Sequence, residues 1–165
     1  MLDFWFNKST PEQWFIKNSD FDESLRLQFA DTLDHAINGD LDTWMDSARS
    51  CLALIIVLDQ FPRNLFRNNK RAFEQDPKAL SICKHAIESN HINQLVDEER
   101  LFALLPLIHS ENIEDHYRSE IAHFFQVYKE LEGKKVEIIG WKSAKEAKTV
   151  IIESIKRYND DLKKD

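Results

Sequence analysis

The sequence predicts one all-α domain over residues 1–165, a tetratricopeptide-repeat-like stack of helical hairpins with five long helices plus short ones. Three observations predict it. Apolar residues recur at helical spacing, most clearly at Phe21, Leu25, Phe29, Leu33 and Ile37. Only 3 glycines and 4 prolines occur in 165 residues, too few for the tight turns of a many-stranded β protein. Several of them stand where helices begin or end: Pro11 follows Thr10, Pro77 follows Asp76, and Gly39 follows an apolar stripe.

The opening MLDFWF is nearly all apolar and is expected to dock as a short helix or cap. Thr10-Pro11-Glu12 reads as a helix start, with a hydroxyl N-cap and proline at the first helical position, and Trp14 and Phe15 facing inward. Asp20 begins a long helix that Gly39 closes. From about Ser47 to Gln60 runs CLALIIVL without a polar face, the signature of the most buried helix. Pro62 is expected to interrupt it, because proline lacks an N–H and its ring clashes with the carbonyl of Leu58. Phe61, preceding the proline, is expected to leave the α region. Asp76-Pro77 opens a helix to about Ser89, with Asp76 as its N-cap. Asp97 opens another, broken or kinked by Pro106. Ser110 or Asn112 caps a helix to about Leu131. Residues 133–142 hold two of the glycines and form a loop, and Ser143 starts a terminal helix over 143–165.

Composition narrows the function classes. Apolar residues make up 42% and aromatics 11%, which is globular rather than disordered. A net charge of −7 disfavours non-specific binding to nucleic acid or anionic membrane, and the basic stretch RNLFRNNKR at 63–71 reads as a solvated loop with structural arginines. Nucleic acid and membrane are therefore not expected as partners. The apolar run Cys51–Leu58 falls far short of the about 20 residues a membrane span needs. The start MLDFWFNK lacks the basic segment of a secretory leader. Cys51 and Cys83 sit in apolar helical patterns and read as buried reduced thiols, so the cytoplasm is the expected compartment.

The stretch LIIVLDQFPRNLFR, 54–67, ends an apolar helix on Asp59 and Gln60, with Arg63, Asn64 and Arg67 behind them. A carboxylate at a helix C-terminus opposes the macrodipole, and one buried without a partner costs far more. Asp59 therefore needs a cation, and Arg63 stands four residues on. A second polar group, His109, Ser110 and Glu111, follows the proline-broken segment LLPLIH. The two breaks are expected to bring these groups to one rim. A metal is not expected: His109, Glu111, Asp115, His116 and His123 match no metal-binding spacing. Scattered glycines exclude a phosphate-cradling loop, no G-x-S-x-G occurs, and no cofactor is implied.

At these residues the chain resembles an uncharacterised family of small bacterial helical proteins, the domain of unknown function numbered nine hundred and twenty-four. The resemblance rests on LDFWF at 2–6, WF at 14–15, FD at 21–22, Trp44, LALIIVLDQFPRNLFR at 52–67, RAF at 71–73, Asp76, and ER, F and PLIHSE over 99–111. It covers about residues 2–125. It implies an all-helical, tetratricopeptide-like fold and no established activity. The basic motif with which family members end, F-G-R-F-P-H-R-N, is absent here. IIESIKRYNDDLKKD stands in its place, with Arg157 as its remnant.

Three roles fit these residues. In the first, the domain is a binding module for an anionic small molecule or peptide end. Arg63 and Arg67 supply charge, Asn64, Gln60, His109 and Ser110 hydrogen bonds, and Asp59 orients Arg63. In the second it is an enzyme in which His109 is a general acid or base, oriented by Asp59 or Glu111. In the third the cluster is a structural clamp in an interaction domain.

Overall fold

The structure, a computed structural model, describes residues 1–110, 117–119, 121–122, 137 and 140–141. The chain divides into two compact units, Met1–Phe124 and Phe125–Asp165, and the elements below belong to the first. Every regular element among the described residues is helical. The expected helix to about Leu131, the loop at 133–142 and the terminal helix fall outside the described residues, save for isolated positions.

Phe4–Lys8 forms a π-helical turn, followed by the short helix α1 (Pro11–Phe15). The Gln13 side chain accepts from the Thr10 backbone N–H at 2.8 Å and satisfies one donor that a helix start leaves open. α2 (Ser19–Asn38) is capped by Asn18, whose Oδ1 accepts from Phe21 N at 2.9 Å, and starts one residue before the Asp20 that the sequence suggests. Gly39 ends α2 at φ +89°, as its position predicts. α3 (Ala48–Leu65), α4 (Asp76–Glu88) and α5 (Asp97–His109) follow, joined by 3-10 turns. Consecutive helices pack together, α2 on α3, α3 on α4 and α4 on α5, and α3 also packs on α5. No helix among the described residues is long and apolar enough to cross a membrane.

α3 is the central element. Leu54, Ile55, Ile56, Val57, Leu58 and Phe61 are fully buried. The N-terminal aromatics close one end of this core. Trp5, fully buried, stacks on Trp14 at 6.2 Å and meets Phe61 at 5.7 Å and Phe102 edge-on at 5.5 Å. Arg49 on α3 donates to the buried Glu99 of α5 at 2.5 Å and ties these two helices together.

The expected break at Pro62 does not occur: α3 runs through it to Leu65, and Phe61 stays helical. A proline inside a helix costs about 3 kcal/mol. Burying Phe61 and Leu65 returns about 1.5–3 kcal/mol each, so packing outweighs the lost bond. The helix beyond it holds, with Phe66 N donating to Pro62 O at 2.9 Å and Arg26 Nη2 to Leu65 O at 2.8 Å. α5 likewise runs through Pro106. Asp76 is not an N-cap. Gln75 takes that place, and Asp76 sits in the first turn with its carboxylate turned to another use.

Candidate functional site

The last turns of α3, the start of α4 and the end of α5 meet at one cluster. Because α3 stays helical past Pro62, Arg63 falls one turn beyond Asp59 on the same face. Asp59 is fully buried. Its Oδ2 accepts from Gln60 Nε2 at 2.5 Å, and its Oδ1 lies 2.9 Å from His109 Nδ1 and 3.3 Å from Arg63 Nη1. Arg63 Nη1 also donates to the Asp59 backbone carbonyl at 2.6 Å. The same guanidinium grips Asp76 of α4 with both ends, Nη1 to Oδ1 at 2.9 Å and Nη2 to Oδ2 at 3.0 Å. Arg63 Nη2 stands 3.0 Å from His109 Nδ1.

Arg67 belongs to a neighbouring pair. Its Nε and Nη2 donate to Asp22 of α2 at 2.5 and 2.8 Å, and this hydrogen-bonded carboxylate raises the arginine's pKa above its ordinary value. Asn64 lies inside α3, buried, with Nδ2 unpartnered among the described residues. Two other asparagines among the described residues are left-handed, Asn68 at φ +61° and Asn90 at φ +58°. Ser110 is the C-cap residue of α5, and Glu111 lies outside the described residues, as do Asp115, His116 and His123.

Two clefts flank the cluster. One, of about 220 Å³, is lined by Lys17, Arg63, Arg67, Asn68, Ala72 and Phe73. The other, of about 210 Å³, is lined by Asp76, Pro77, Leu80, Pro106, His109 and Ser110. Arg63 lines the first and Asp76 the second, so the bidentate pair is the wall between them. Arg63 also lies over the exposed ring of Phe73, 5.3 Å from its centroid.

The structure thus gathers Gln60, Arg63 and His109 around Asp59 without the helix breaks expected to bring them there, and sends Arg67 to Asp22. Asp22, Asp76 and Lys17 were missed. Asp22 and Asp76 do stand among the residues that carry the family resemblance, but Asp22 reads locally as an acid in the first turn of a helix and Asp76 as an N-cap, and the helix start alone accounts for each. Lys17 carried no signal of its own. Neither thiol is activated: burial pushes Cys51 up to about 11 and Cys83 up to about 12.

The model of a family described as bacterial protein of unknown function (DUF924) matches residues 1–160. The chain belongs to that family. A solved structure of a protein of unknown function from Agrobacterium tumefaciens is similar, with 38% identity and a TM-score of 0.65, covering 67% of this chain and 62% of that one. Shorter stretches resemble inorganic pyrophosphatases. That of Xanthomonas campestris pv. campestris is 46% identical over 52 residues, 31% of this chain and 29% of the enzyme. That of Geobacillus stearothermophilus is 46% identical over 50 residues, 30% of each chain. The chain therefore spans under a third of the length of these two curated relatives.

Proposed function

We propose that this DUF924 member is a binding module for a small anion, the carboxylate or phosphate of a small molecule or peptide end, seated in the cleft of Lys17, Arg63 and Arg67. The observation that carries the reading is the convergence of these three cations on one concave surface. Two of the three are held by carboxylates that do not line the cleft. Asp22 occupies Nε and Nη2 of Arg67, which leaves the Nη1 donors over. Asp76 and the Asp59 carbonyl occupy Nη1 and Nη2 of Arg63, which leaves its Nε–H. Donors fixed in advance lose little freedom when a ligand arrives. The role assigned here to Arg67 and Lys17 is direct contact, and that of Asp59 and Asp76 is to orient Arg63.

The test is a titration of the protein with acetate, inorganic phosphate and pyrophosphate at low ionic strength, followed by backbone amide shifts. The pyrophosphate arm is prompted by the short stretches shared with pyrophosphatases. Saturable shifts at Lys17, Asn68 and Phe73, weakened at least tenfold by Lys17→Ala and by Arg67→Ala, are expected. Shifts that are absent up to millimolar anion, or that both variants leave unchanged, would sink the reading.

A further inference from the structure

We infer that His109 is a general acid–base residue serving the second cleft, with Asp59 as its positioning residue and a small carboxylic ester as the class of substrate. Its chemistry rests on a proton that the geometry locates. His109 Nδ1 has two neighbours, Asp59 Oδ1 at 2.9 Å and Arg63 Nη2 at 3.0 Å. Arginine only donates, and an ionised carboxylate only accepts. A lone pair on Nδ1 would suit Arg63 but would face the carboxylate oxygen with no proton between them. A proton on Nδ1 suits Asp59, and Asp76 takes one of the two Nη2 hydrogens of Arg63, which leaves only the other beside the ring. The neutral ring is therefore the Nδ1–H tautomer, and the lone pair is on Nε2.

Nothing among the described residues bonds to Nε2. The side chain is 29% exposed and lines the 210 Å³ cleft, whose Pro77, Leu80 and Pro106 give it an apolar wall. Asp59, by contrast, is sealed and fixed on its other oxygen by Gln60. A buried carboxylate that sets the tautomer, an imidazole held by it and a free nitrogen at a cleft make up the orienting half of a hydrolytic site. In the reaction, Nε2 takes a proton from a water as its oxygen bonds to the ester carbonyl carbon. The imidazolium then returns that proton to the alcohol oxygen as the carbon–oxygen bond breaks. The products are a carboxylic acid and an alcohol, and no other reagent is consumed. This inference does not depend on the anion cleft, since the ester used to test it is uncharged.

The experiment has two arms. In the first, hydrolysis of 4-nitrophenyl acetate by the full chain is compared with His109→Asn and with free imidazole at equal concentration. The asparagine keeps an N–H for Asp59, so the contact between α3 and α5 survives while the base is lost. Hydrolysis above the imidazole rate, reduced about 10²-fold or more in His109→Asn, is expected from the usual contribution of general acid–base catalysis. In the second arm, diethyl pyrocarbonate labels the unaltered protein, and the modified peptides are measured by mass. His109 is expected to react ahead of His35, His85 and His91, and Asp59→Asn to slow it. A rate no higher than imidazole's, a rate unchanged in His109→Asn, or a His109 that reacts no faster than His35, His85 and His91 would overturn the assignment.

Discussion

Replacing Arg63 by methionine removes one guanidinium and keeps most of the apolar stem. The two carboxylates it serves differ in what they recover. Asp76 is 31% exposed in its side chain and regains water, so its share of the loss is close to that of a surface pair, roughly 1 kcal/mol. Asp59 is 1% exposed and regains nothing. Stranding a buried charge outright costs about 3–5 kcal/mol. Asp59 keeps Gln60 and His109, so its share falls below that bound, and the total should be about 2–4 kcal/mol. Urea melts at neutral pH measure it as a lower midpoint with an unchanged slope. The decisive comparison adds Asp59→Asn to Arg63→Met. The double variant has no buried anion to strand and should be more stable than Arg63→Met alone. If Arg63→Met falls within about 0.5 kcal/mol of the parent, or if Asp59→Asn deepens its loss, the buried charge is not what Arg63 is there to hold.

Three further outcomes are expected. Gly39→Ala should cost about 1–2 kcal/mol in a thermal or urea melt, because φ is +89°. The added Cβ meets the movable Asp42 Oδ2 at 3.3 Å, so crowding contributes little beside the backbone. Cys51 and Cys83 should not react with a disulfide reagent at neutral pH until the protein is unfolded, when both should titrate, since burial holds both thiols protonated. His35 bonds Asp40 at 2.8 Å, which raises its pKa above the usual 6.5. Its stabilising contribution is complete below pH about 6.5 and is lost as pH rises through the higher folded value. An NMR titration should show the raised value, and His35→Gln should flatten the melting temperature across that window.

The helices were legible because their signals are local. The four-residue stripe of α2, the unbroken apolar run of α3 and Gly39 each report on a stretch shorter than the element they define. Pro62 misled for the same reason. The cost of a mid-helix proline is a local quantity, whereas what offsets it is the burial of Phe61 and Leu65 against other helices, which the chain does not spell out at that point. The site divides along the same line. Asp59, Gln60 and Arg63 could be read because a carboxylate ending an apolar helix demands a partner close by. Asp22 is 45 positions from Arg67, and Asp76 is 13 from Arg63, and neither sequence neighbourhood hints at an arginine. His109 could be named but not joined to Asp59, which is 50 positions away, until the packing of α3 on α5 supplied the contact.

A clamp and a binding site look alike in sequence because each needs charged groups at a helix end. In the proposed site they would be two uses of the same side chains. A guanidinium has five N–H donors, and a bidentate carboxylate takes only two of them. Asp22 fixes Arg67 and Asp76 fixes Arg63 with one such grip each, the first tying the turn after α3 to α2 and the second tying α3 to α4. Both arginines also line the cleft. Three carboxylates, Asp22, Asp59 and Asp76, balance the charges of Lys17, Arg63 and Arg67, so the region as a whole carries little net field to attract an anion from a distance, in a chain whose net charge is −7. Any selectivity of the proposed site must then come from donor geometry at contact range. That favours a compact oxyanion able to take several N–H groups at once over one that offers charge alone. The same pairing makes the fold answer for the proposed site, because each arginine that could meet a ligand also ties the end of α3 to a neighbouring helix.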